Sequence, residues 1–519
     1  MLTKLDRYLT TVGWMFVLLL AVFMFYSTSS KTYSPDSWGY VDIARSFFSS
    51  DREIGEIQGT RDYSNLPWKN DSFPMLWPLV ISPFLQFSKE PALPIGAYLF
   101  VPIWLVTTFV FGRILREFGV SARWAAFGGM VLLAIPGYLD EGAAGRSIPL
   151  NLFLLTMAVW IILRNTDSGS HKEIIFVGVL LGLCASNRFD SLILGPIIII
   201  CALVAKLVSR LRAVIGLVFW SIFPIIWSLY SWFNFGKLFV SDNTRVATAT
   251  QSKMITYWEL PNTGAAFNFS EYSNRLADNL WLVIKVFLIS YKPWGIAIVF
   301  AFVISFSVLR FKIFNSKIMK DQEKSEVILN LSAQKVHFLG FSLISLGFSQ
   351  LMALIVTGYP DVRYWISTIA LLFLFTLAYY KCLQSRQSNF MAFSRLSLKL
   401  TVFLIASAGV FFTVEQYKAP FDSTINDKRV IDCLESIEGV AILTGMEAFR
   451  IPATSDLRAA TIPGNWKLLS TEDWLQMQKQ YGITAWLDLS RNKEFEIPIN
   501  AKGVIKNVEC QEFSNQFDQ

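Results

Sequence analysis

The sequence predicts an all-α polytopic membrane domain followed by a small external α/β domain, and three observations carry this. Of the 519 residues, 53% are hydrophobic and only 16% charged, against about a quarter charged in an ordinary soluble domain. Apolar runs recur along residues 1–414, separated by loops whose Lys and Arg concentrate on one side of a membrane. Residues 415–519 then change to short strand patterns and a capped polar helix. The net charge of +7 would point to nucleic acid in a soluble protein. Here the bases sit in loops and set orientation, so membrane lipid is the expected partner and nucleic acid is not.

The first span runs from Tyr8 to Tyr26 behind Lys4 and Arg7, and lacks a small-residue cleavage site, so it reads as an anchor. An external loop over 28–92 follows, with interfacial helices. Its opening, Pro35-Asp36-Ser37-Trp38-Gly39-Tyr40, reads as a helix start with Asp36 near the cap. Tyr40, Ile43, Phe47 and Phe48 share one apolar face, which predicts a helix lying on the membrane surface. The stretch Ser72–Pro83 is apolar but broken by prolines, and reads as an interfacial dip.

Further spans are expected at Leu93–Gly112, Trp124–Pro136 and Ile148–Leu163, with a short external loop Gly137–Arg146. Ile174–Ser186 is apolar for only about 20 Å of helix before Asn187-Arg188-Phe189-Asp190 and a second run, Ser191–Ala205. Taken as one long helix, this would put Lys206, Arg210 and Arg212 outside, against the positive-inside rule. Two short spans turning at Arg188 restore the parity. Spans at Ala213–Phe233, Trp281–Leu309, Val336–Val356, Trp365–Tyr380 and Leu400–Val414 complete a set of about eleven, with the N-terminus inside and the C-terminus outside. In the terminal region Val440–Thr444 and Ile483–Leu489 read as strands, and Ser470–Gln480 as a capped helix.

Chemistry-bearing residues gather in the external segments. Asp140 and Glu141 accompany Arg146, Asp190 accompanies Arg188, and Asp361 accompanies Arg363 and Tyr364. The first long external loop adds Asp36, Tyr40 and Arg61, the second adds Arg245 and Lys253, and Lys292 follows. Any one such pair reads as an ion pair steadying a turn. All of them on one side of a membrane protein suggest a polar cavity for an anionic lipid headgroup, because guanidinium grips phosphate bidentately. A carboxylate above arginines suits removal of a proton from an acceptor hydroxyl while cations stabilise a departing phosphate. Nucleotide sugars are absent outside the cell, so an outward-facing transferase needs a donor carried by the membrane, such as a polyprenyl-phosphate sugar. The only histidines are His171 and His337, and no Cys/His cluster exists, so a zinc site of the usual ligands is not expected. Cys433 and Cys510 are able to pair if their region is outside the cell.

The pattern resembles the C-type superfamily of integral-membrane glycosyltransferases, which includes bacterial aminoarabinose transferases and protein O-mannosyltransferases. The resemblance is carried by Asp36 with Tyr40 and Ile43-Ala44-Arg45, the proline-rich Phe73–Pro83, the turn Ser186–Asp190, and Arg363-Tyr364 at the start of a late span. Trp232–Gly236 and the terminal α/β region add to it. The resemblance implies that Asp36 is the essential carboxylate and that Arg188 and Arg363 lie near the donor phosphate. Members often carry Asp-Glu where this chain has Asp36-Ser37. That weakens the expectation of a metal shared by adjacent carboxylates and leaves Asp140 or Glu141 as the second acid. Members differ in metal use, so a divalent metal is neither assigned nor excluded.

The expected function is therefore transfer of a sugar from a polyprenyl-phosphate donor to a hydroxyl of a glycan, lipid or protein, with inversion and with Asp36 as base. The competing readings are a transporter or flippase, for which the usual inverted repeats are not evident, and an O-antigen ligase or polymerase.

Overall fold

The computed structural model describes residues 2–28, 35–47, 74–87, 95–120, 123–135, 137–164, 170–236, 238–239, isolated positions within 270–281, 325–357, 362–384, 391–418, 435–444, 459–461, 470–488 and 496–508. The described chain is mostly helical. It divides into two compact units, one holding 1–30, 97–227 and 276–420, the other holding 31–96, 228–275 and 421–519.

The first unit is a bundle. Its helices are α1 (Leu2–Ser27), α4 (Ile95–Glu117), α5 (Arg123–Leu133), α6 (Tyr138–Ala143), α7 (Ile148–Arg164), α8 (His171–Asn187), α9 (Leu194–Val204), α10 (Arg210–Phe235), α11 (Ser325–Thr357), α12 (Ile366–Gln384) and α13 (Met391–Lys418). The second unit contains α2 (Pro35–Ser46) and α3 (Leu76–Phe87). Every span expected from the sequence coincides with a helix except Trp281–Leu309, which past its first residue lies outside the described residues. Among the described residues, Thr10–Ser27, Ile95–Glu117 and Arg210–Asn234 are long and apolar enough to cross a membrane unaided. Lipid is the natural solvent for their open faces, since Leu19 of α1 is 65% exposed and Ile226 of α10 is 58% exposed.

Small residues set how closely the helices approach. A Cβ on Gly178 of α8 would stand 2.4 Å from the Gly216 carbonyl of α10, and one on Gly409 of α13 would stand 2.2 Å from the Met130 carbonyl of α5. Polar groups inside the bundle are met locally. The Trp104 indole donates to the Gly129 carbonyl at 2.9 Å, and the Thr107 and Thr108 hydroxyls bond back to carbonyls four residues earlier. Helix ends are closed by left-handed turns at Gly119 and at Lys206, each with the two reversed backbone bonds of a Schellman motif. At the end of α4, Glu117 accepts from Lys335 of α11 at 2.9 Å.

In the second unit α2 packs on α3. Tyr40, Val41, Ile43 and Ala44 are buried, together with Trp77 and Ile81 of α3. Of the face expected to lie on lipid, Tyr40 and Ile43 are covered by protein because the proline-interrupted segment folds as a helix, Phe47 is half-exposed, and Phe48 lies outside the described residues. Pro78 falls in the first turn of α3, where its missing N–H costs nothing, while Pro83 sits inside it. Four parallel strands, β1 (Val440–Thr444), β2 (Ala459–Thr461), β3 (Ile483–Asp488) and β4 (Lys506–Asn507), form a sheet in the order β2-β1-β3-β4. The helix α14 (Thr471–Tyr481) lies against β3, held by a Ser470/Asp473 capping box and by the edge-on rings of Trp474 and Trp486.

One position in α6 of the first unit tests its packing. A Cβ on Gly142 of α6 would meet the Phe100 ring at 2.4 Å. Helix propensity favours Gly142→Ala by up to about 1 kcal/mol, but overpacking costs about 1–3 kcal/mol. The variant is therefore expected to unfold at lower temperature in detergent, and an unchanged or raised midpoint would contradict this.

Candidate active site

Three short turns of the first unit, each expected from the sequence to face outward, are built at helix ends. After Gly137, in the left-handed region at φ 80°, α6 runs only to Ala143. Gly145 takes φ 70° and produces a Schellman closure, in which Arg146 N–H donates to the Glu141 carbonyl and Gly145 N–H to the Gly142 carbonyl, both at 2.9 Å. The turn carries Arg146 back over the helix, so its guanidinium also pairs with the Glu141 carboxylate. Glu141 is 3% exposed, a burial that an ionised carboxylate tolerates only with such a partner. Asp140 points to the exposed side. Crowding by the surrounding protein raises its carboxyl above the ordinary value, and the nearby Arg146 charge opposes that rise.

The second turn follows α8. Arg188 leaves the helix in extended conformation (φ −153°, ψ 128°), and Phe189–Ser191 form one tight turn before α9. The predicted break of this apolar segment at Arg188 is thus present. Arg188 and Asp190 meet fork to fork, Nε on Oδ1 and Nη2 on Oδ2, both at 2.9 Å. Phe189 packs on Trp227 of α10, ring centroids 4.7 Å apart.

These turns are joined. The Asn187 side-chain amide donates to the Ser147 carbonyl at 2.8 Å, and that of Asn151 donates to Ser191 Oγ at 2.9 Å. All four residues are buried. The third turn, Val362–Trp365, opens α12 and places the Tyr364 ring beneath the Arg188 guanidinium, 5.8 Å from carbon to centroid. The Arg363 guanidinium lies 5.7 Å from the same ring. The structure therefore brings Arg188, Asp190, Arg363 and Tyr364 together, and Asn187 and Asn151 tie them to the turn bearing Arg146 and Glu141. Two half-buried guanidiniums gathered on one aromatic ring suit an anion.

Other expected residues fall elsewhere. Tyr40 is buried in the second unit, and Asp36 is the second residue of α2. Arg61, Arg245, Lys253, Lys292 and Asp361 lie outside the described residues, as do Cys433 and Cys510. Among the described residues no group of three or more His, Cys, Asp or Glu is placed to hold a metal ion. Asn151, Asn187, Ser147 and Ser191 were not singled out from the sequence. The one signal for the asparagines was Asn151 inside one apolar span and Asn187 at the break after the next.

The raised Asp140 carboxyl has a consequence for stability. The unfolded chain loses this proton near pH 3.8, before the folded protein does. Folding therefore weakens as pH rises from there through the raised value, and the full penalty stands at neutral pH. Asp140→Asn is expected to raise the unfolding midpoint at pH 7 and to leave it unchanged below pH 3.8. An equal shift at both pH values would contradict this.

No protein-family model and no curated protein matches the sequence. Solved structures do match. ArnT from Cupriavidus metallidurans bound to undecaprenyl phosphate is 14% identical, with 86% of each chain covered and a TM-score of 0.50. The apo oligosaccharyltransferase of Archaeoglobus fulgidus is 11% identical, with 90% of this chain and 66% of that one covered and a TM-score of 0.51. Both neighbours are C-type glycosyltransferases. Likeness at this identity concerns the fold, and the fold of this chain is that of the C-type integral-membrane glycosyltransferases.

Proposed function

We propose that the protein is an integral-membrane glycosyltransferase that moves a sugar from a polyprenyl-phosphate donor to an acceptor hydroxyl on the external face of the bacterial inner membrane. The observation that carries this reading is the cluster of Arg188, Asp190, Arg363 and Tyr364 on a fold shared with ArnT, whose structure holds undecaprenyl phosphate. Guanidiniums match phosphate oxygens bidentately, and an anchored phosphate leaves the prenyl chain in hydrocarbon.

In this mechanism Asp36 accepts the proton of the acceptor hydroxyl as its oxygen attacks the anomeric carbon. The bond from that carbon to the donor phosphate breaks on the opposite side, which inverts the centre. Polyprenyl phosphate leaves with the bonding electron pair, and Arg188 and Arg363 stabilise its developing charge. General-base help contributes roughly 10²–10⁴ in rate, and one well-placed donor at the developing charge about 10²–10³. Arg146, held by Glu141, supports the same face, and Asp140 supplies a second acid. Arg61, Arg245, Lys253, Lys292 and Tyr40 are proposed to line the donor and acceptor grooves. The N-terminus is cytoplasmic, about eleven helices span the membrane, and residues 415–519 form an external domain.

Asp36→Asn is expected to lower transfer by at least about a hundredfold while leaving binding of a polyprenyl-phosphate sugar within twofold of wild type. Full transfer by this variant would sink the assignment of the base. Arg188→Ala and Arg363→Ala should each weaken donor binding on the order of tenfold or more. Unchanged affinity in both would make the turns structural ion pairs.

A further inference from the structure

At the opposite end of α7 from the external turns lies a second cationic cluster that glycosyl transfer does not use. About 20 Å of helix separates Trp160 from Ser147. The Arg113 guanidinium of α4 stands 5.5 Å from the Trp160 ring, and that of Arg164 stands 5.8 Å from the same ring. Neither arginine has a carboxylate partner among the described residues. Glu117, the acid at the end of α4, is engaged by Lys335. The Trp160 indole N–H is itself buried without an acceptor among the described residues. Two cations and an unmet donor therefore meet at one indole, and among the described residues no carboxylate is paired with either cation.

An apolar strip leads to this cluster. Val106 and Phe109 lie two turns and one turn before Arg113 on the same face of α4, 44% and 52% exposed, and Arg113 also stacks over the Phe109 ring at 5.7 Å. Exposed hydrocarbon ending at two guanidiniums without a carboxylate partner among the described residues is complementary to a molecule with an acyl chain and an anionic head. An interfacial belt alone would account for one tryptophan and scattered bases. It does not account for arginines of two different helices gathered on one ring. The geometry points to a site for a phospholipid with a net anionic headgroup, drawn from the leaflet at this end of α4 and α7. Arg113 and Arg164 grip the phosphodiester, and Val106 and Phe109 lie along the first acyl chain. This site is independent of the proposed transfer chemistry and needs only that the bundle be embedded in lipid.

Native mass spectrometry of the full chain, delipidated in a neutral detergent, tests it with two lipids of identical chains, phosphatidylglycerol and phosphatidylcholine. The wild type is expected to retain one saturable equivalent of phosphatidylglycerol at least about tenfold more tightly than phosphatidylcholine. The double variant Arg113→Gln/Arg164→Gln is expected to lose that preference, whereas Arg116→Gln, at an exposed position on the same helix end, keeps it. Equal retention of the two lipids by wild type would overturn the proposal without reference to any variant. So would loss of the preference in Arg116→Gln, which would reduce the effect to general surface charge. Displacement by millimolar inorganic phosphate would likewise overturn it, by assigning the cluster to a free anion.

Discussion

Ending a helix inside an apolar bundle exposes backbone groups where no water can satisfy them, and the break at Arg188 depends on how those groups are met. The Arg188 N–H bonds the Cys184 carbonyl, and the Ser191 N–H bonds the Arg188 carbonyl. The Asn187 side chain takes the Ser147 carbonyl, and Asn151 takes Ser191 Oγ. The break is thereby held by α7, so the turns before α7 and after α8 form one object. Only because it is held there can Arg188 turn out of its helix onto Asp190 and Tyr364. Each buried bond of this kind leaves an orphan worth about 1–3 kcal/mol if its partner is removed, which makes the asparagines as consequential as the arginines they position.

Much of the bundle was legible in the sequence because membrane helices obey two simple counts, apolar length and the side on which bases fall. The break at Arg188 came from both together: a run too short to span, followed by Lys206, Arg210 and Arg212 on the wrong side if it continued. The pairing of Arg146 was half legible. Asp140 and Glu141 were equal candidates by composition. The choice of Glu141 follows from Gly145 reversing the chain so that Arg146 returns over the buried side of α6. The roles of Asn151 and Asn187 were not legible, since they depend on which helices are neighbours, and no local pattern states that.

The opening segment shows the opposite failure. Tyr40 and Ile43 do share an apolar face, but periodicity cannot say whether lipid or protein covers it. The prolines of 72–83 suggested an irregular dip, whereas Pro78 occupies a first turn and the segment forms α3, which packs on α2. Asp36 thus belongs to the first turn of a helix that packs on α3.

The central claim is that the turns after α8 and before α12 act as one anion site. A double-mutant cycle over Arg188 and Arg363, read as the affinity for polyprenyl phosphate in Arg188→Ala, Arg363→Ala and the combined variant, addresses it directly. The account predicts strong non-additivity, a coupling of about 0.5–3 kcal/mol, as for two residues sharing one partner. Losses that add to within about 0.5 kcal/mol would show two independent sites and contradict it.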